Sequence, residues 1–299
     1  MDSIYCYSKA GKIAATVRDN VRKKDFIGKT LYEICENIEQ EIKLNGGMPA
    51  FPVNVSLNEI AAHYTAEPDD EIIVGSDDIL KIDIGVHING YIADTAVTVS
   101  NNAKHQLMVA AAETALSEAI KISKPSTKSS DIGHMIEKTI STNGFKPIQN
   151  LSGHSIEQYT IHAGKSIPNI RTLGTSFKLS INQAYAIEPF VTTMDGEGIV
   201  YEGKTRNIFG IVSRKPTKDK NSDEFLQIIW DRYKTLPFAA RWLLDRYDEI
   251  NVRKLLDVLR KRKNIHAYPI LVEGNNKVVA QAEHTIMLTN SETRIITMQ

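Results

Sequence analysis

ILKIDIGVHINGYIADTAVTV, residues 79–99, is two alternating apolar runs divided by Asn89-Gly90. Asn-Gly is the strongest short-range hairpin signal, because both central residues accept positive φ and the turn then matches the twist of the flanking strands. Pairing Ile88 with Tyr91 and counting back sets Asp83 opposite Ala96 and Asp94 opposite Gly85. Side chains alternate with period two, so both carboxylates point to one face as diagonal neighbours. Backbones at such a diagonal are roughly 7–8 Å apart and the side-chain tips are closer. Two bare acids at that range repel and raise one pKa, a conflict that gripping adjacent cations removes.

The rest of the chain has the makeup of an ordinary globular protein: 299 residues, 42% hydrophobic and 24% charged. Lys plus Arg equals Asp plus Glu at 36 each, so no global field recruits nucleic acid or an anionic membrane. The start, MDSIYCYSKAGK, has no apolar core of a signal peptide, and no stretch has the roughly 18 unbroken apolar residues of a spanning helix. A cytoplasmic address and no membrane partner are expected. Cys6 and Cys35 are too few for a disulfide framework, and Cys35 reads as a packed free thiol on a helix stripe.

The chain also repeats itself. ICENIEQEIKLNGG, from Ile34, resembles IGHMIEKTISTNGF, from Ile132. Each reads as an amphipathic helix opened by a cap, Thr30 with Glu33 in the first and Ser129 or Ser130 in the second, and closed by Asn-Gly. Helical stretches precede both, around residues 8–22 and 104–122, His63 is echoed by His162, and Lys81-Ile82-Asp83 by Ala186-Ile187-Glu188. The fold class is therefore α/β in the mixed α+β sense, two duplicated helix-helix-strand-strand halves. Glu188's partner comes late, as Glu283 in VVAQAEHTIMLT, which alternates like one half-buried strand with Gln281 and Thr285 on the same face. Between lies an insertion, residues 213–266, whose segments FLQIIWDRY, FAARWLLDRY and VRKLLDVLRKRK read as three helices around Phe225, Ile228, Ile229, Trp242, Leu243, Leu255, Leu256 and Leu259. Its basic run at Arg260 to Lys263 reads as a solvated helix end, so no specific nucleic-acid partner is expected. Residues 1–212 and 267–299 form the main domain in this reading.

Five candidate ligands follow: Asp83, Asp94, Glu188 and Glu283 supply oxygen, and His154 in NLSGHSIEQY supplies nitrogen. Four carboxylates gathered in one pocket are neutralised by two divalent cations. Oxygen-rich ligation with one imidazole favours Mn, Fe, Co or Zn. Two such ions roughly 3.5–4 Å apart can share a water, lower its pKa and polarise a carbonyl, which points to hydrolysis. His63 and His162, related by the repeat, are placed facing each other, where imidazole can donate to a carbonyl oxygen or a departing amine. His284 must point to the opposite sheet face; His87, His105, His134 and His266 read as structural.

AAHYT, KIDIGVHINGYIADTA, NLSGHSIEQYTIHAGKSIP, YAIEPF and QAEHTI together closely resemble the type II methionine aminopeptidases, in the short archaeal form. The resemblance spans nearly the whole chain, and the insertion between the last two acids distinguishes type II from type I. It implies a pita-bread fold, a curved antiparallel sheet backed by helices with two metals at the seam. It implies removal of the initiator methionine from nascent polypeptides when the second residue is small, by attack of a metal-bridging hydroxide on the first peptide bond. By position, Asp83 would chelate one metal, His154 and Glu188 the other, and Asp94 and Glu283 would bridge. Glu188 would also shuttle the proton, His162 would bond the scissile carbonyl, and His63 would lie by the substrate. Phe51 and Tyr268 match positions that wall the methionine pocket. Pro189-Phe190 and Ile208 depart from the pattern of many relatives, which bears on that pocket and not on the metal set. A monomer with at most transient ribosome association is expected. The rivals are an Xaa-Pro aminopeptidase or prolidase of the same fold, against which the insertion argues, and a non-catalytic ribosome- or RNA-binding relative, against which the complete ligand set argues.

Overall fold

The computed structural model describes residues 2–174, 176–290 and 292–298. The hairpin forms in the register read above: strands Leu80–Ile88 and Tyr91–Val99 keep nine successive partners, with Asp83 opposite Ala96 and Asp94 opposite Gly85. Asn89 and Gly90 take φ of 52° and 84°, the positive values the turn demands.

This hairpin is the centre of one half of a nine-stranded antiparallel sheet. Its order runs Met48–Pro49, Leu80–Ile88, Tyr91–Val99, Glu283–Leu288, Ala184–Ile187, Ser152–Ile156, Ser166–Pro168, with Asn54–Leu57 also on Leu80–Ile88 and Thr293–Ile295 on Glu283–Leu288. The two halves meet where Tyr91–Val99 lies against Glu283–Leu288. Helices α1 (Ser3–Val21) and α2 (Leu31–Leu44) back the first half, and α3 (Ala103–Ile122) and α4 (Ser129–Thr142) the second. Ile13, Val17, Ile34 and Ile38 pack on Ile82, Ile84 and Val97 in one core; Met108, Leu116, Ile132 and Ile136 pack on Tyr185, Ile187 and Ile286 in the other.

The expected capping box at α2 is present, with Thr30 and Glu33 exchanging side chain–backbone bonds at 3.1 Å. At α4 the expectation of a serine cap fails. Lys128 is the cap residue and makes no side-chain bond, while Ser129 and Ser130 are already helical. The passing 176–178 segment meets the first donors instead, Phe177 O taking Ser129 N at 2.9 Å and Ser176 Oγ taking Ser130 N at 3.2 Å. Both α2 and α4 end at asparagine before a glycine of positive φ, as the repeat predicts.

Two further expectations are corrected. VVAQAEHTIMLT is two strands: Val279–Gln281 pairs with Phe190–Thr192 in a three-stranded sheet, Glu283–Leu288 belongs to the large one, and the chain changes sheets at Ala282. The facing chain changes sheets at Glu188-Pro189, where proline has no N–H to continue the ladder. Within 213–266, α5 (Lys220–Tyr233) and α6 (Glu249–Lys261) form, but FAARWLLDRY does not make a third α-helix. Phe238–Ala239 pairs with Ile208–Phe209, and only a four-residue 3-10 turn, Ala240–Leu243, follows. Strand pairing satisfies the backbone just after Pro237 and turns Phe238 and Leu243 inward, so the apolar spacing that imitated a helix serves an extended segment and a tight turn. Leu226 rather than Ile228 joins this small core. Among the described residues, no helix is long and apolar enough to cross a membrane.

Candidate metal centre

All nine residues singled out from sequence line one cavity of about 330 Å³: Phe51, His63, Asp83, Asp94, His154, His162, Glu188, Tyr268 and Glu283. The hairpin delivers Asp83 and Asp94. Register sets His154, on the Ser152–Ile156 strand, opposite Ala186, so that its ring stands beside the end of the strand that releases Glu188. Glu283 opens its strand opposite Ala96, level with Asp83 but on the far side of the strand that carries Asp94. One ligand atom each from Asp94, His154 and Glu283 falls within 4.8 Å of the others. His154 Nε2 is 3.7 Å from Asp94 Oδ2 and 3.5 Å from Glu188 Oε1, beyond a good hydrogen bond and short enough for a shared cation.

The electrostatics of this cluster are costly as it stands. Burial raises Asp83 to about 7, and a hydrogen bond from Asp94 keeps it from rising further. Burial and then repulsion by neighbouring carboxylates push Asp94, Glu188 and Glu283 well above the ordinary range. Burial also holds His154 well down, and so neutral. Asp83 Oδ1, Asp94 Oδ1 and Glu283 Oε1 are buried without any hydrogen-bond partner. Buried acceptors left unpaired cost about 1–3 kcal/mol each, more when charged. Carboxylate oxygens of Asp94 and Glu283 gathered with a neutral imidazole, and an orphaned Asp83 oxygen on the same cavity, are the donor set of a hard or borderline cation.

Around them the cavity is mixed. His162 stacks edge-on against His154 with ring centroids 4.4 Å apart, and burial lowers its pKa. His63 has positive φ, 65°, its Nδ1 is 3.3 Å from Pro269 O, and burial lowers it to about 4. A carbonyl can only accept, so Nδ1 carries the proton and Nε2 of the neutral ring is an acceptor. Tyr268 lies edge-on to His63 at 5.8 Å. Phe51 packs against Gly85, where a Cβ would come within 2.2 Å of its ring, so the glycine opposite Asp94 is what lets this wall close. Ile208, Phe190 and Pro237 complete the apolar side. His284 faces the other way, 3.0 Å from Arg18 and 2.9 Å from Thr297 Oγ1.

Sequence reasoning missed Asn54. It sits opposite Asp83, lines the cavity and is buried with Oδ1 unpaired. The repeat could have found it, since Asn54–Leu57 lies on the Asp83 strand as Ser152–Ile156 lies on the strand leading to Glu188.

Residues 5–211 match the model of metallopeptidase family M24, and the chain belongs to that family. It is 44% identical over 289 residues to the methionine aminopeptidase of Pyrococcus abyssi, covering 97% of each chain. It is 41% identical over 289 residues to that of Methanocaldococcus jannaschii, covering 97% of this chain and 96% of the relative. The crystal structure of methionine aminopeptidase from Thermotoga maritima superposes with a TM-score of 0.71 at 24% identity, over 99% of this chain and 97% of that one, which bears on the fold alone. The architecture is the pita-bread arrangement expected from the sequence.

Proposed function

We propose that this protein is a metal-dependent aminopeptidase that removes the N-terminal methionine of new polypeptides when the second residue is small. The observation that carries the reading is the convergence, on one cavity with a single apolar side, of unpartnered buried oxygens of Asp83, Asp94 and Glu283 and of His154 Nε2, which lies 3.7 Å from Asp94 Oδ2 and 3.5 Å from Glu188 Oε1. Two divalent ions, of Mn, Fe, Co or Zn, fit the donor set: Asp83 would hold one, His154 and Glu188 the other, and Asp94 and Glu283 both. Such ions would lower the pKa of a water and polarise the peptide carbonyl.

The protein's own groups supply the rest. Glu188, at the cavity wall, takes the proton from the attacking water and passes it to the leaving amine. His162 donates to the carbonyl oxygen as charge develops there. His63, whose Nδ1–H is committed to Pro269 O, offers an acceptor to a substrate N–H. Phe51, Ile208 and Tyr268 give a thioether-sized apolar wall. Residues 213–266 act as an inserted helical subdomain on the 1–212 and 267–299 body, lending Pro237 to that wall, and the working unit is a monomer.

The test is release of free amino acid from Met-Ala-Ser and from Xaa-Pro peptides after loading with each metal in turn. Methionine from the first alone supports the reading. Cleavage confined to Xaa-Pro bonds would make the protein a prolidase-type enzyme, and silence with every metal would make it a non-catalytic relative.

A further inference from the structure

The two halves are sewn together at the metal site by threonine hydroxyls, two of which each make a pair of backbone bonds, while Thr95 Oγ1 adds a single bond to Glu283 O at 2.8 Å. Tyr91–Val99 and Glu283–Leu288 share only two registered partners, Glu283↔Ala96 and His284↔Thr95. On one side of this short contact Thr285 Oγ1 accepts from Asp94 N at 2.8 Å and donates to Asp94 O at 2.8 Å. On the other, Thr98 Oγ1 accepts from Gln281 N at 2.8 Å and donates to Gln281 O at 2.6 Å. The two clamps are interchanged by the pseudo-twofold axis of the sheet: Thr98 takes the place of Thr285, and Gln281 that of Asp94. Each hydroxyl does what a facing residue's N–H and C=O would do in a continuous ladder, while leaving the strands free to diverge around the cavity. All four residues are buried.

The clamped residues belong to the site. Asp94 is itself a candidate ligand, and Gln281 Nε2 reaches Glu283 Oε2 at 3.4 Å. Resting on the two-metal aminopeptidase reading, we propose that Thr98 and Thr285 are positioning residues that fix the separation of Asp94 from Glu283, and with it the affinity of the site for a pair of ions. The hydroxyl of Thr285 sets where the Asp94 backbone stands relative to the strand bearing Glu283. The hydroxyl of Thr98 sets the strand entry from which Glu283 projects. Neither side chain lines the cavity.

Thr285→Val keeps the volume and loses both bonds, leaving Asp94 N and O unpaired. Titration calorimetry with Mn²⁺ on the otherwise unaltered protein should show affinity reduced about 10–100-fold, the usual cost of losing a group that orients a metal ligand. Electron paramagnetic resonance of the Mn-loaded protein should show a changed coupling between the two ions. In peptide assays kcat should fall more than KM rises, and Thr285→Ser, which retains the hydroxyl, should restore all three readouts. Thr98→Val should act in the same direction and more weakly, because it clamps Gln281 rather than a ligand; it carries the test alone if Thr285→Val does not fold. Wild-type affinity and an unaltered spectrum in the valine variants would overturn the proposal. Wild-type protein that neither binds Mn²⁺ nor releases methionine would instead overturn the aminopeptidase reading.

Discussion

The two halves deliver their acids to the same cavity in opposite ways. Asp83 and Asp94 come from a single hairpin with nine unbroken partners and a two-residue turn. Glu188 and Glu283 come from strands of four and six residues, and each sits where its chain changes sheets. In the first half local pairing fixes the geometry before any metal arrives. In the second the geometry depends on tertiary contacts: Ala282 N on Pro189 O at 3.3 Å, Thr95 Oγ1 on Glu283 O at 2.8 Å, and the threonine clamps. A duplicated fold has thus kept one stiff arm and one arm that the rest of the molecule must hold.

The sharpest way to break that contrast is at the acids themselves. Glu188→Ala should abolish turnover, by at least about a thousandfold, and weaken metal binding, since in the proposed mechanism one group would serve as ligand and proton carrier. Asp83→Ala should lose metal while the hairpin still folds. Metal analysis, activity and circular dichroism of both variants decide the matter; full activity in either would remove that residue from the site. His162→Ala should lower kcat about a hundredfold with metal content retained, as expected for loss of one donor to a developing oxyanion. If that variant purified without metal, His162 would be a ligand and the assignment of His154 would need revision.

The cost of gathering the acids can be measured through pH. Burial raises Asp83 to about 7 in the metal-free fold, and burial with carboxylate repulsion raises Asp94, Glu188 and Glu283 well above the ordinary range. Between the ordinary carboxylate range, about 4, and the folded value the native state binds more protons than the unfolded chain, so metal-free stability falls as pH rises through that window. Bound cations favour the ionised carboxylates, so with metal present stability should instead fall as pH is lowered. Melting curves from pH 4.5 to 7.5 in chelator and in Mn²⁺ should therefore slope in opposite directions. Parallel slopes would mean that the acids are not brought together by a cation.

The contrast also explains what could be read from the chain. The hairpin, its register, the four backing helices and seven of the cavity residues, His63, Asp83, Asp94, His154, His162, Glu188 and Glu283, were legible from local signals and the repeat: Asn89-Gly90, the period-two alternation, Thr30 with Glu33, and the short strings around the histidines and acids. Phe51 and Tyr268 came only from the family resemblance. The sheet change at Ala282 was not, because alternation continues through it and only the partner strand shows that Pro189 stops the ladder. FAARWLLDRY was misread because Phe238, Trp242 and Leu243 are spaced as on a helix, whereas the long-range partner Ile208–Ile211 decides their backbone. The clamps of Thr98 and Thr285 were invisible for the same reason, since a buried threonine on a strand is ordinary until its neighbour across the seam is known.

The smallest expected effect lies at the hairpin turn, and it tests how stiff the first arm is. Asn89 sits at φ 52°, where asparagine is tolerated better than a residue with an apolar Cβ branch. Asn89→Ala should cost about 1 kcal/mol, or roughly 2 °C in melting temperature for a chain of this size. The turn is also held from outside through backbone atoms that the substitution leaves in place: Gln158 Nε2 donates to Asn89 O at 2.9 Å, and Tyr159 N to Gly90 O at 2.8 Å. With nine registered partners behind it, the loss should stop at the turn, and kcat and metal affinity should stay within twofold of wild type. A larger loss of metal affinity, measured by the same calorimetry, would show that the position of Asp83 relative to Asp94 is set at the turn rather than by the ladder, and the first arm would then be no stiffer than the second.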